Sequence, residues 1–225
     1  MGEYKVAIVI PAFNEESTIV QIVNSVKLYG YPIVVNDAST DKTQELAYKA
    51  RAIVISHTKN QGYDCALNTG FIEADKHNFD AIITFDADGQ HDSMALGKYI
   101  DNLKKGVDLV LGIRPRPARV SERIFMFYTK IRFNWKDPLC GMKGYSMRLY
   151  RKQGYFDSYG SINTELAFFG LRHKCSYTQI SILIAKRQDA PRFSSTIQSN
   201  LYIVLSLIKA IKINNKNEKR VKSKK

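Results

Sequence analysis

Two aspartates one residue apart, Asp86 and Asp88, close a short apolar run in the segment ITFDADGQH at 83–91. Carboxylates at the end of an apolar strand are costly unless a cation or hydrogen bonds compensate them. Oxygen ligands of this kind suit Mg2+ or Mn2+, and Mg2+ pairs few carboxylates with waters and phosphates. An isolated D-x-D is more often an Asp-rich turn, and a lone histidine such as His91 is more often a polar loop residue. Two other apolar runs end in similar clusters, PAFNEE at 11–16 and VVNDASTDKT at 34–43. Their Asn, Asp and Ser residues can cap the helices that follow. Acids converging at the tops of adjacent strands instead suggest a nucleotide site, with carboxylates accepting from base or ribose. Further on, Arg114, Arg116, Arg119 and Arg123 flank a Pro-rich loop. Guanidinium groups bind phosphate in bidentate fashion, although such a loop can also be merely solvated.

The elements that must hold these residues alternate regularly. Apolar, β-branched runs at 5–10, 32–35, 52–56, 81–85 and 107–112 read as strands. Helical patterns separate them at 14–29, 41–51, 65–76 and 94–105. Such alternation indicates βαβ units and a mostly parallel sheet flanked by helices, an α/β fold. Crossovers of this length force parallel pairing and place ligands beyond the carboxyl ends of the strands. After residue 112 the regularity breaks. The prolines exclude a helix over 114–119. A helix is expected at 121–133, a strand at 141–149, a helix at 164–173, a strand at 177–185 and a helix at 200–213.

Composition narrows the classes. The chain has 225 residues, 44% hydrophobic and 24% charged, which fits one globular domain rather than bulk disorder. Cys65, Cys140 and Cys175 are scattered and form no CxxC pair. That excludes a disulfide framework or a four-cysteine zinc module and favours a reducing compartment. There is no signal-peptide pattern and no run of 18 apolar residues, which argues against a secreted or polytopic membrane protein. The net charge is +13, from 34 basic and 21 acidic residues. Residues 209–225 hold eight of the basic residues against the single acid Glu218, or +7 of that total. A tail of this kind serves nucleic acid, an anionic membrane surface or solubility alone. The helix before it, at about 20 Å, is too short to span a bilayer. It can pack on the domain, pair with another subunit, or lie in a membrane interface.

Taken in order, PAFNEE, VVNDASTDKT, KNQGYDCALNTG (59–70) and ITFDADGQH resemble glycosyltransferase family 2. Within it the chain is most similar to the branch typified by dolichyl-phosphate mannose synthase. The segment DPLCGMKGY at 137–145 resembles that branch's D-P-x-C/S-G-F-K/R pattern. Thr164-Glu165 resembles its acidic pair before the acceptor-side helix, with Asn163 in place of the commoner first acid. The resemblance implies a GT-A domain over 1–195; the residues after it read from their own pattern as an amphipathic helix at 196–213 and a disordered basic tail at 214–225. The resemblance also implies that Pro11, Ala12, Glu15 and Asp37 hold the nucleoside, and that Gly62 and Asp64 border the sugar diphosphate. Asp86, Asp88 and Gln90 would hold Mg2+ or Mn2+, with Asp86 and Asp88 at the diphosphate of the donor. A divalent cation there offsets charge on the leaving group.

The acceptor is the harder question. Related enzymes of that branch use basic residues near Arg119 and Arg123 to hold a lipid phosphate. A phosphate acceptor is already anionic and needs no general base. A sugar hydroxyl does, and Asp137 is the candidate by motif; in the phosphate case it orients an arginine or the sugar. The segment KRQDAPRFS at 186–194 departs from the branch's R-x-x-G-x-S-K ending, leaving Arg187, Arg192 and Ser194 as phosphate contacts. The expected activity is inverting, metal-dependent transfer of a hexose from a UDP- or GDP-sugar to a polyprenyl phosphate. The protein would sit peripherally at the cytoplasmic face of a membrane, and a homo-oligomer is compatible with this. The alternative acceptor is a sugar hydroxyl in capsule, lipopolysaccharide or other glycan assembly. A nucleic-acid-binding protein is suggested by the pI of 9.6, but leaves the acids at three strand ends unexplained. A nucleotidyltransferase would need a glycine-rich, basic phosphate loop, which 11–16 lacks.

Overall fold

The computed structural model describes residues 3–89, 91–115, 119–184 and 196–222. The expected contacts Gln90, Arg116, Arg187, Arg192 and Ser194 lie outside the described residues. Seven strands form one sheet in the order β3-β2-β1-β4-β6-β5-β7. They are β1 (Val6–Ala12), β2 (Tyr31–Asn36), β3 (Ile53–Ser56), β4 (Ala81–Thr84), β5 (Leu109–Ile113), β6 (Lys143–Ser146) and β7 (Tyr177–Ser181). Pairing is parallel for β1 with β2 and β4, for β2 with β3, and for β5 with β7. β6 runs antiparallel to both of its neighbours, β4 and β5. The expected mostly parallel α/β sheet is therefore present, with one reversed strand, β6, fifth of the seven.

Helices cover both faces. They are α1 (Ile19–Val26), α2 (Thr43–Lys49), α3 (Tyr63–Lys76), α4 (Ala95–Lys104), α5 (Val120–Phe133), α6 (Met147–Gln153), α7 (Glu165–Arg172) and α8 (Thr196–Lys222). β1 reads VAIVI because side chains on both of its faces are buried, Ile8 and Ile10 in one core layer and Ala7 and Val9 in the other. The first layer joins them to Val23, Ile83 and Leu96; the second collects Phe71, Phe125, Trp135, Phe168 and Leu207. Each fully buried aromatic or aliphatic side chain contributes on the order of 1.5–3 kcal/mol.

Three elements differ from expectation. The strand expected over 141–149 stops at Ser146, whose hydroxyl accepts from the Leu149 N–H at 3.2 Å and starts α6. Gly154, at φ 87°, ends that helix. α1 begins only at Ile19, because the 14–18 segment is a turn tied to the neighbouring loop. α8 begins at Thr196 and its helical backbone continues to Lys222, past the boundary at 213 and into the tail expected to be disordered.

Candidate active site

The carboxyl ends of β1, β2 and β4 lie side by side and carry the clusters singled out in the sequence. Pro11 and Ala12 pair with Val35 and Asn36 at the last rungs of β1 and β2. Beyond them the two turns are stitched together. The Asn14 N–H donates to Ser39 Oγ at 2.9 Å, and the Thr40 N–H returns a bond to Asn14 Oδ1 at 2.9 Å. The Glu15 N–H donates to Thr43 Oγ1 at 2.7 Å, and Thr18 Oγ1 reaches Glu15 Oε2 at 3.3 Å. Glu15 is buried at the head of this turn.

Asp37 faces the next loop. Its Oδ1 accepts from the Gln61 N–H at 2.8 Å and lies 2.7 Å from His57 Nδ1, and its Oδ2 accepts from the Gly62 N–H at 2.8 Å. His57 Nε2 in turn lies 2.9 Å from Thr69 Oγ1 on α3. Gly62 precedes α3 at φ 91°, where a side chain would be strained. The Asp37 carboxylate thus shapes the loop that begins α3.

Asp64, on the first turn of α3, is buried and turned inward. It accepts from the Ile162 N–H at 3.0 Å and the Asn163 N–H at 2.6 Å, both residues being left-handed at φ 57° and 58°. Burial, with the nearby Asp157 charge, raises its pKa to about 6 against the pull of those two N–H groups. Asn163 Nδ2 donates to the Gly141 carbonyl at 2.9 Å, and Asn163 Oδ1 accepts from Tyr145 Oη at 3.2 Å. An ionised acid at this position has no donor to offer that carbonyl. The departure from the commoner acid therefore has a local reason.

Asp86 and Asp88 follow β4, both partly exposed. Asp86 Oδ1 accepts from Tyr63 Oη at 2.9 Å, and Oδ2 lies 3.5 Å from His91 Nδ1. That buried ring nitrogen has no hydrogen-bond partner among the described residues. Among the described residues no cluster of three His, Cys, Asp or Glu side chains is arranged around a metal. A pair of carboxylates with a histidine nitrogen behind one of them fits a hard cation whose remaining ligands are waters and substrate phosphates. On the other side, the Asp86 carboxylate packs directly on the backbone of Gly141. Gly141 is itself held through its carbonyl by Thr84 Oγ1 at 2.6 Å.

Behind this pair sits Lys143, a fully buried cation on β6. Its Nζ donates to the Cys140 carbonyl at 2.7 Å and lies 5.7 Å from the Trp135 ring centroid. Burial lowers its pKa to about 8, opposed by Cys140, Asp137 and Asp86. Sequence reasoning did not single out Tyr63, His57 or Lys143; Tyr63 opens α3 inside the 59–70 motif and His57 lies in the loop just before that motif. A lysine in an otherwise buried strand segment was the available signal for the third.

Asp137 and Arg114 form the second charged centre. Arg114 Nε donates to Asp137 Oδ2 at 2.8 Å, Nη2 to Oδ1 at 2.8 Å, and the Arg114 backbone N–H to Oδ2 at 3.0 Å. Arg114 Nη2 also donates to Glu122 Oε2 at 3.0 Å. Burial works against its charge, but Asp137 and Glu122 keep its pKa above the ordinary value. Of the expected phosphate-binding arginines, Arg114 is thus turned inward. Arg119 stands at the start of α5, 3.9 Å from Glu122 Oε1, and Arg123 is exposed.

The family model described as glycosyl transferase family 2 matches residues 7–156. A dolichol-phosphate mannosyltransferase of Pyrococcus furiosus is 37% identical over 119 residues, covering 49% of this chain and 33% of that protein. A UDP-N-acetylglucosamine–dolichyl-phosphate N-acetylglucosaminyltransferase of Methanococcus voltae is 31% identical over 119 residues, covering 44% and 47%. The matches thus span less than half the length of these relatives. Glucosyl-3-phosphoglycerate synthase of Mycobacterium tuberculosis, solved with Mn2+, UDP and glucosyl-3-phosphoglycerate, superposes with a TM-score of 0.72. It is 21% identical and the match covers 91% of this chain and 80% of that one, a likeness of fold. The architecture is the GT-A fold that the sequence resemblance implied.

Proposed function

This chain belongs to glycosyl transferase family 2, and from that premise we propose that it transfers a hexose from a UDP- or GDP-sugar to a polyprenyl phosphate. The observation that carries the choice of acceptor is the state of Asp137. It is 2% exposed and both of its oxygens are taken by Arg114. A carboxylate so committed is not placed to deprotonate a sugar hydroxyl. A phosphate acceptor arrives ionised and needs no such base. Relatives named for dolichyl-phosphate acceptors support the same reading.

In this reading Pro11, Ala12 and Glu15 line the nucleoside end of the site, at the heads of β1 and β2. Asp37 contributes by fixing the 61–62 loop, and Asp64 by fixing the 162–163 turn, both beside the diphosphate. Asp86 and Asp88 hold Mg2+ or Mn2+, which when bound offsets charge on the departing diphosphate. Tyr63 orients Asp86. Arg119 and Arg123 take the acceptor phosphate, while Asp137 orients Arg114 and through it Glu122 and the start of α5. One in-line attack at the anomeric carbon inverts its configuration.

The test is nucleoside diphosphate release from a panel of UDP- and GDP-sugars with Mn2+, with and without polyprenyl phosphate. Release is expected only with the lipid phosphate present and no sugar primer. Release with a glycan primer but none with the lipid phosphate would assign the acceptor to a sugar hydroxyl.

A further inference from the structure

Four large apolar side chains project from α5 into solvent: Val120 (70% exposed), Ile124 (53%), Phe127 (68%) and Ile131 (70%). Spaced three or four residues apart, they make one stripe along the helix, opposite the buried Phe125 and Thr129. Scattered exposed apolar residues are ordinary, but a contiguous stripe marks an interaction surface. α8 lies alongside, with Ser121 Oγ donating to Asn200 Oδ1 at 2.5 Å. Both helices rest on the same core layer, α5 through Phe125 and α8 through Ile203, Leu207 and Ala210. Their outward faces therefore turn the same way, and α8 adds exposed Leu201, Leu205 and Ile208.

The charges around this surface have one sign. Arg123, Lys130 and Arg132 on α5 and Lys209 and Lys212 on α8 are exposed. Among the described side chains of the two helices, Glu122 is the single acid, and it is buried against Arg114. We propose that α5 and α8 together seat the protein on an anionic lipid bilayer. The apolar stripe enters the boundary between headgroups and acyl chains, and the surrounding cations meet lipid phosphates. A second copy is the poorer occupant, because a two-fold interface would set this cationic rim against itself. No helix among the described residues is long and apolar enough to cross a membrane, so the seat lies in the plane of the interface. The inference stands on the surface alone and does not depend on the donor or acceptor proposed above.

The experiment is co-sedimentation of the purified chain with vesicles of phosphatidylcholine alone and with equal parts phosphatidylcholine and phosphatidylglycerol, without any sugar nucleotide. Binding to the anionic vesicles is expected, weakened about tenfold or more by the double substitution Phe127→Gln and Ile131→Gln. Leu28→Gln, which removes an equally exposed apolar residue just after α1, is expected to change nothing. Equal binding by the double variant overturns the proposal, as does failure of the unaltered chain to bind either vesicle. A dimer in solution that the double variant dissociates, with no vesicle binding, would reassign the face to a second copy and overturn it too.

Discussion

A Cβ at Gly141 would lie 2.7 Å from Cγ and 2.8 Å from Oδ1 of Asp86, so the carboxylate keeps its place only because this residue has no side chain. Gly141→Ala is expected to leave the melting temperature nearly unchanged, since the atoms that must give way end a side chain rather than form a backbone. It should weaken Mn2+ binding at least about tenfold, roughly 1.4 kcal/mol, read by Mn2+ paramagnetic resonance in the absence of substrate. Unaltered Mn2+ affinity would separate Asp86 from the metal. Asp64 gives a second prediction, with a definite sign. The unfolded chain releases this proton near pH 3.8 and the folded chain near about 6. Between those values the native state holds the extra proton, so this group's contribution to stability falls as pH rises, by up to about 3 kcal/mol. Urea midpoints on either side of that window should show the loss in the parent chain, and Asp64→Asn should lack it. An identical pH slope in both would place the buried proton elsewhere. Neither Asp64's direction nor the Gly141 contact is written in a motif: each depends on a segment distant in sequence, 162–163 for one and Asp86, beyond the end of β4, for the other.

At the level of elements, Arg114 joins the end of β5 to the 134–141 loop and to α5, because its guanidinium bridges Asp137 and Glu122. Arg114→Leu leaves Asp137 buried without its partner, which is expected to cost about 3–5 kcal/mol in denaturant unfolding. A loss below about 1 kcal/mol would mean that water or Lys143 already satisfies Asp137. The first four strands and their helices were legible in the sequence, because apolar runs of strand length alternate with helical spacing and end in turn residues. The second half was less so. Met147, Leu149 and Tyr150 suit either a strand or a helix face, and only the Ser146 cap and Gly154 distinguish them. That β6 enters between β4 and β5 in the reverse direction is a property of pairing, which local pattern does not encode. The clusters at 11–16, 34–43 and 83–91 were legible as neighbours at one end of the sheet, because each closes a buried parallel strand. The commitment of Asp137 to Arg114 was foreshadowed only as one of two roles.

The whole molecule carries its charge unevenly, and this decides how it would meet a lipid-borne acceptor. Of the net +13, +7 lies in residues 209–225, and the α5–α8 surface presents only cations among its exposed described charges. The count was readable from composition. Its placement beside an apolar stripe was not, because the phase of α5 follows from which of its residues reach the core. The same surface contains Arg123, so a phosphate carried in a bilayer would approach the site from the side on which the protein is seated. Electrostatic attraction of this kind is screened over ~10 Å at 0.1 M salt and over ~3 Å at 1 M. Transfer to polyprenyl phosphate should therefore be several-fold faster in anionic than in neutral vesicles at low salt, with that ratio approaching one at high salt. Binding of the nucleoside diphosphate in the absence of vesicles, measured in parallel by calorimetry, separates screening at the membrane from screening at the donor site. If the ratio of rates in the two kinds of vesicle holds constant while salt rises, the cations do not guide the encounter, and the basic segment has some other use.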